Sequence, residues 1–259
     1  MVDMSSAGVV VTGGGHGIGR AIAYRMAAEG ARVLVNDVDA DAADTVATEI
    51  GGYAAAGDAT SETGVAALLA HAHETLGAID VYCANAGTAA GAGPETEEET
   101  WQRAWEVNVL AHVRASRALL PGWLERGAGR FVVTASAAGL LTALGSAPYS
   151  VTKHGAVSYA EWLSATYGHR GIAVHCLCPQ GVRTQMLENS GAMGEVLLRA
   201  TALEPEQVAE ALWAGIVAEQ FLILPHPEVG DYYTARAEDT DRWLRGMRKL
   251  QQRIDGRPD

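Results

Sequence analysis

Tyr149 and Lys153 stand four residues apart in "APYSVTKHG", residues 147 to 155, in a chain with only two lysines among its nineteen basic residues. On a helix that spacing puts both side chains on one face, about 5–6 Å apart at Cβ. Such a pair is either a solvated lysine beside a packed tyrosine, or a phenol acidified by an ammonium and able to move a proton to or from a substrate oxygen. A free phenol, with a pKa near ~10, is a poor base at neutral pH, and each unit of downward shift is worth about 1.4 kcal/mol to the phenolate. Viewed alone, packing is the safer reading, so the surrounding chemistry has to decide.

A second constellation lies near the amino end. "TGGGHGIGR", residues 12 to 20, follows an apolar run and opens directly into the helical pattern "RAIAYRMAAEG". Glycines allow a tight turn and a close backbone approach, and the helix that follows presents unpaired N–H groups and a positive dipole end to an anion. Gly13, Gly17 and Gly19 read G-x3-G-x-G rather than the dinucleotide fingerprint GxGxxG. The next apolar run, "RVLVND", ends at Asp37, close to the interval at which a carboxylate accepts the adenosine ribose hydroxyls. A carboxylate there repels a 2'-phosphate, and Val38 occupies the place where a basic residue would welcome one, so the reading is NAD over NADP. His16 is the one feature favouring a phosphate, and it is mostly neutral at pH 7.

These residues need elements to hold them. Short apolar runs, "GVVVTG", "RVLVND", "GYAAAGD", "IDVYCANAG", "RFVVTAS", "IAVHCLCPQG" and "FLILP", alternate with helical patterns at 17–29, 39–50, 61–76, 97–120, 147–167 and 206–219. That alternation predicts right-handed βαβ units and an α/β fold: a doubly wound parallel sheet of up to seven strands with helices on both faces. No repeat or linker interrupts it, so one domain is expected over 1–259. The stretch 226–259 differs in composition, with seven of the nineteen basic residues from Arg236 onward and a stripe of Trp243, Met247, Leu250 and Ile254. It predicts a helical extension docked on its own core or on a sister subunit, and helping to close a pocket.

Composition excludes several classes. The net charge of -12 leaves no basic surface for a nucleic-acid backbone. The first apolar run is too short and glycine-interrupted for a signal peptide or membrane span, which points to a cytoplasmic protein. Cys83, Cys176 and Cys178 fall in no CxxC spacing and read as reduced core thiols, the last two on one strand face. His175 beside them points to the other face, and no metal site is expected.

The motifs together, "TGGGHGIG", "NAG" at Asn85 to Gly87, Asn108 in "WEVNVL", Ser136 in "VVTASAAG", and Tyr149 and Lys153 in "YSVTK", resemble the short-chain dehydrogenase/reductase family in its branch of about 250 residues. The resemblance runs in register from residue 8 to about 224 and implies a Rossmann-like fold and a nicotinamide dinucleotide. It implies that Tyr149 is the general acid/base, that Lys153 lowers its pKa and holds the nicotinamide ribose, and that Ser136 polarises the substrate oxygen. Asn108 would hold a water linking Lys153 to a proton relay. Cofactor contacts would come from Gly13, Gly15, His16, Gly17, Ile18 and Gly19 in the first turn, Asp37 at the ribose, and Asp58 with Ala59 at the adenine. Asn85, Ala86 and Gly87 would border the adenosine site, and Pro179, Gln180, Val182 and Thr184 would meet the nicotinamide.

Two departures stand out. Gln180 replaces a more usual glycine, and after "FLIL" the chain continues into "PHPEVGDYYTARAEDTDRWLRGMRKLQQRI". The stretch "AAGLLTALGSAP" after Ser136 and the segment from Gln185 to Leu203, with Met186, Leu187, Met193, Val196, Leu197 and Leu198, suggest a largely apolar pocket under a mobile lid. The expected activity is NAD-dependent interconversion of a secondary alcohol and a ketone, by a homo-oligomer, tetramer or dimer. The alternatives are an NADP-dependent ketone or acyl reductase and a dinucleotide-binding scaffold without turnover.

Overall fold

The structure is a computed structural model and describes residues 4–189 and 198–256. Its strands are β1 (Gly8–Thr12), β2 (Arg32–Asp37), β3 (Tyr53–Ala56), β4 (Val81–Ala84), β5 (Gly129–Thr134), β6 (Ile172–Leu177) and β7 (Leu222–Ile223). They form one parallel sheet in the order β3-β2-β1-β4-β5-β6-β7. The β-branched run of β1 is buried at all five positions, as a central parallel strand covered on both faces requires.

Alternate residues of the strands serve separate cores. Val10, Leu34, Tyr82, Phe131 and Cys176 pack on one side of the sheet. Val9, Val11, Val35, Cys83 and Leu177 pack on the other. Tyr82 and Phe131 stack at 5.6 Å, with Trp123 meeting Phe131 edge-on. The Cys176 and Cys178 sulfurs lie 3.7 Å apart on one face, and His175 on the other contacts Arg130 and the Gln220 carbonyl.

The helices are α1 (Gly17–Ala28), α2 (Ala40–Ile50), α3 (Glu62–Leu76), α4 (Glu98–Trp105), α5 (Ala111–Arg126), α6 (Ala147–Tyr167), α7 (Gln185–Glu188), α8 (Pro205–Val217), α9 (Glu228–Glu238) and α10 (Thr240–Ile254). Local chemistry sets several boundaries. The Asp39 carboxylate accepts from Ala42 N to start α2, and the Ser61 hydroxyl accepts from Gly64 N to start α3.

The expected helix at 97–120 differs from what is observed. It is broken by a π turn at Glu106–Leu110 and runs on to Arg126. A π turn inserts an extra residue into the ladder and is common at functional sites; this one carries Asn108. The last strand shrinks to two residues because it is an edge, paired only to β6. Lid residues Met193, Val196 and Leu197 lie outside the described residues. The extension folds against its own chain as α9 and α10, with Val229 buried in the core and Trp243 packed against it.

Candidate active site

Strand order reverses direction between β1 and β4, and ligands in open parallel sheets bind at the carboxyl ends of the strands at such a switch point. A cleft of about 1320 Å3 opens there. It exceeds the ~300–1,000 Å3 of a site for one small molecule, leaving room for a cofactor and a substrate together. Every residue assigned above to catalysis or cofactor binding lines it, except Gly15 and Asn108.

The first turn is built for close approach. Gly13 and Gly17 adopt φ of +61° and +49°, and a Cβ on Gly19 would sit 2.0 Å from the Gly13 carbonyl oxygen. The Gly15 N–H donates to Asp37 Oδ2 at 2.9 Å. Asp39 N donates to Asp37 Oδ1 at 3.1 Å. Each carboxylate oxygen keeps acceptor capacity beyond these bonds, and Asp37 faces the cleft beside an exposed Val38. His16 is drawn to the rim by Asp39, 3.2 Å away. These residues fit a dinucleotide: a cradle that a side chain would fill, a helix N-terminus behind it, and a carboxylate that lines the cleft.

Behind the turn, the end of β4 is stitched to the end of β1. Thr12 Oγ1 accepts from Asn85 N and Ala86 N, each at 3.1 Å, while Asn85 Nδ2 donates to the carbonyls of Thr12 and Gly13. Thr12 had no assigned part in the sequence reading, although a threonine closing a strand before glycines was a visible signal. Burial by itself would raise the Asp58 carboxyl. Hydrogen bonds from the Thr60 hydroxyl and N–H, with the Arg103 guanidinium, bring it below its ordinary value.

At the other end of the cleft, α6 carries Tyr149 and Lys153. Lys153 is 3% exposed, and its Nζ donates to the Thr134 carbonyl at 2.8 Å and lies 5.6 Å from the centre of the Tyr149 ring. Burial pushes its pKa down to about 8. Tyr149 moves against expectation: burial raises it, Cys178 adds to the rise, and only a hydrogen bond with Ser136 opposes it. The acidified phenol that the family resemblance implied does not appear, because the burial of Tyr149 itself outweighs the Ser136 hydrogen bond. Ser136 caps the following turn by accepting from Ala138 N, and its Oγ lies 3.4 Å from the Pro179 carbonyl.

Asn108 sits behind the cleft, fully buried. Its Oδ1 accepts from Thr88 N, and its Nδ2 donates to Thr88 O and to Thr152 Oγ1, at 2.9, 2.9 and 3.0 Å. A Cβ placed on Gly87 would meet Asn108 Oδ1 at 3.3 Å and Lys153 Nζ at 3.4 Å, so the three groups converge. His112, one turn beyond Asn108, is held to about 3 by burial and by the charge of Lys153, and neither ring nitrogen has a partner among the described residues. A neutral His112 keeps a second charge out of this pocket, a part that no sequence motif advertised.

The segment after Ser136 was legible only as apolar. Thr142 lines the cleft at φ +148°, a conformation that side chains rarely adopt. Ser150 fixes the loop: its hydroxyl accepts from Ala143 N and lies within hydrogen-bond distance of the carbonyls of Ala143 and Ser146.

The sequence pattern of the family described as short chain dehydrogenase matches residues 7–194. The chain is 34% identical over 240 residues to 1-deoxy-11-beta-hydroxypentalenate dehydrogenase of Streptomyces exfoliatus, covering 88% of this chain and 86% of that one. It is 34% identical over 221 residues to 2-(S)-hydroxypropyl-CoM dehydrogenase 3 of Xanthobacter autotrophicus, covering 79% and 87%. Among solved structures, a short chain dehydrogenase/reductase from Burkholderia phymatum in complex with NAD superposes with a TM-score of 0.85 at 27% identity, covering 93% of this chain and 96% of that one. On the strength of both the matched sequence pattern and this cleft, the chain belongs to the short-chain dehydrogenase/reductase family.

Proposed function

We propose that the chain, acting as one catalytic unit over residues 1–259, is an NAD-dependent oxidoreductase that interconverts a secondary alcohol and a ketone. The observation that carries this reading is the meeting of Tyr149, Ser136 and Lys153 at one end of a cleft whose other end holds Asp37 beneath the glycine turn. The dehydrogenase relatives in Streptomyces and Xanthobacter support the reaction class, and the Burkholderia NAD complex supports the cofactor.

The glycine turn from Gly13 to Gly19, with Asp37, would hold NAD, which would supply the hydride acceptor. The remaining work falls to the chain. Tyr149 Oη removes the hydroxyl proton of the alcohol, or returns it to the ketone oxygen in the reverse direction. Ser136 Oγ, already paired with Tyr149, orients that same oxygen. Lys153 places a positive charge beneath the phenol, stabilising the phenolate when the proton moves. Asn108 clamps Thr88 and so fixes the floor on which Lys153 rests. Asp37 selects NAD by accepting ribose hydroxyls where a 2'-phosphate would be repelled.

Reduction of NAD and of NADP by purified protein with a panel of secondary alcohols, followed by nicotinamide absorbance, tests the proposal. Tyr149→Phe is expected to bind NAD normally and lose about 10²–10⁴-fold in kcat. No turnover with any alcohol or ketone, despite NAD binding, would leave the scaffold reading in its place.

No helix of the described residues is long and apolar enough to cross a membrane. Our reading places the protein in the cytoplasm as a homo-oligomer. Trp105, Val151 and Trp162, on the adjoining helices α4 and α6, are 41%, 49% and 51% exposed and offer an apolar face for a second copy. Light scattering that returned a monomer would remove that part.

A further inference from the structure

The cleft does not end at Tyr149. Tyr232 of α9 and Trp243, Met247 and Leu250 of α10 line the same cavity, as do Leu141 and Leu144 of the loop after Ser136. From Trp243 to Leu250 the apolar stripe of α10 rises by roughly 10 Å, seven steps of about 1.5 Å. Tyr232 and Trp243 approach at 6.3 Å with their rings inclined by 41°, forming a broad aromatic wall.

These helices are thinly anchored. Most of α9 is exposed, and no residue of α10 is buried. The pair is held by Val229 in the core, Trp243 packed against that core, His226 accepting from Gln180 N at 3.2 Å, and Arg236. Arg236 Nη1 donates to the Leu140 carbonyl and also to His154 Nε2, 3.2 Å away. His154 Nδ1 lies 2.8 Å from the Ser150 carbonyl, so it carries the ring proton and leaves Nε2 as the acceptor. Leu140 precedes the wall residue Leu141, and His154 follows Lys153. One guanidinium thus ties the extension to both the catalytic helix and the loop that faces the substrate.

We propose that α9 and α10 form a cap latched by Arg236, and that the substrate beneath it is a bulky, fused-ring apolar secondary alcohol or its ketone. The inference rests on the alcohol chemistry proposed above. A wide wall of two rings, a methionine and a leucine covers a broad, rigid skeleton, and a rigid skeleton loses less conformational freedom on binding than an open chain of equal carbon count. Each methylene buried under the cap is worth roughly four-fold in affinity. Arg236 is a positioning residue: it touches neither substrate nor cofactor but holds the wall in place.

The test compares cyclohexanol, decan-2-ol and decahydro-2-naphthol as substrates of the full-length protein with NAD. The fused-ring alcohol should exceed both others in kcat/KM by at least ~10-fold. Trp243→Ala and Arg236→Gln should erase most of that preference through KM and leave NAD binding unchanged, and Arg236→Gln should leave cyclohexanol turnover within about two-fold. Arg236→Lys, which keeps a donor, should recover part of it. Calorimetry of 2-decalone binding to wild type and both variants reads the cap without turnover. If no alcohol is oxidised but 2-decalone binds and the variants lose it, the alcohol chemistry fails and the cap stands. Equal loss on all three alcohols, a preference for decan-2-ol, or 2-decalone binding that is absent or untouched by both variants overturns the cap.

Discussion

Replacing Lys153 with methionine should make the protein more stable and catalytically inert at the same time. The ammonium is buried, and its pKa falls from 10.5 in a free side chain to about 8 in the fold. Near pH 7 both folded and unfolded chains hold the proton, so the folded state bears the full cost of the shift, about 3 kcal/mol at 1.36 kcal/mol per unit. Between about pH 8 and 10.5 the folded state gives up its proton first, and stability rises with pH until the cost is about 1 kcal/mol near pH 10. Methionine has a similar length, removes the charge, and forfeits the hydrogen bond to the Thr134 carbonyl, a loss of about 1 kcal/mol. The expected balance is a gain of about 2 kcal/mol near pH 7, or roughly 5 °C in Tm for a chain of this size, vanishing near pH 10. Urea denaturation of the cofactor-free proteins at both pH values measures it, with alcohol oxidation assayed alongside. A Lys153→Met protein less stable than wild type near pH 7, or an advantage that persists near pH 10, would refute the claim that Lys153 is held at the expense of folding.

Other outcomes follow from the same geometry. Asp37→Ala should reduce kcat/KM with NAD by about 10-fold or more and narrow the gap to NADP, while leaving the N–H groups of Gly15 and Asp39 without their acceptor at about 1–3 kcal/mol in stability; comparative kinetics and denaturation check both. Asn108→Ala removes three buried hydrogen bonds at the π turn and should cost about 2–4 kcal/mol in urea unfolding, with a kcat loss larger than any change in KM. Because burial raises Tyr149 above its ordinary value, alcohol oxidation should accelerate as pH rises above neutrality, while ketone reduction should hold until the pH passes the ordinary phenol value and slow beyond it; a flat kcat/KM profile for oxidation through the alkaline range would contradict Tyr149 as the base. Lys153→Arg puts a larger cation beside Gly87 and should retain most of the fold but under a tenth of the activity.

The parts of this protein that the sequence determined are those encoded within a few residues of each other. Alternating apolar runs and helical patterns fixed seven parallel strands, since β-branched runs buried on both faces have few other solutions. Glycines between a strand and a helix marked the turn at Gly13 to Gly19, and Asp37 followed at the end of the next strand, so most of the residues lining that end of the cleft were legible. The four-residue step from Tyr149 to Lys153 likewise put both on one helix face. What lies around that face depends on contacts between residues far apart in the chain, and only the tertiary structure decided it. The Thr134 carbonyl reaches Lys153 across 19 positions, Asn108 reaches Thr152 across 44, and Arg236 reaches Leu140 across 96. Burial, too, is a property of the whole fold. It lowers the pKa of Lys153 and raises that of Tyr149, opposite to the direction that the family resemblance implied for the phenol. Local periodicity cannot report how much water a side chain will lose, nor which distant carbonyl will meet it.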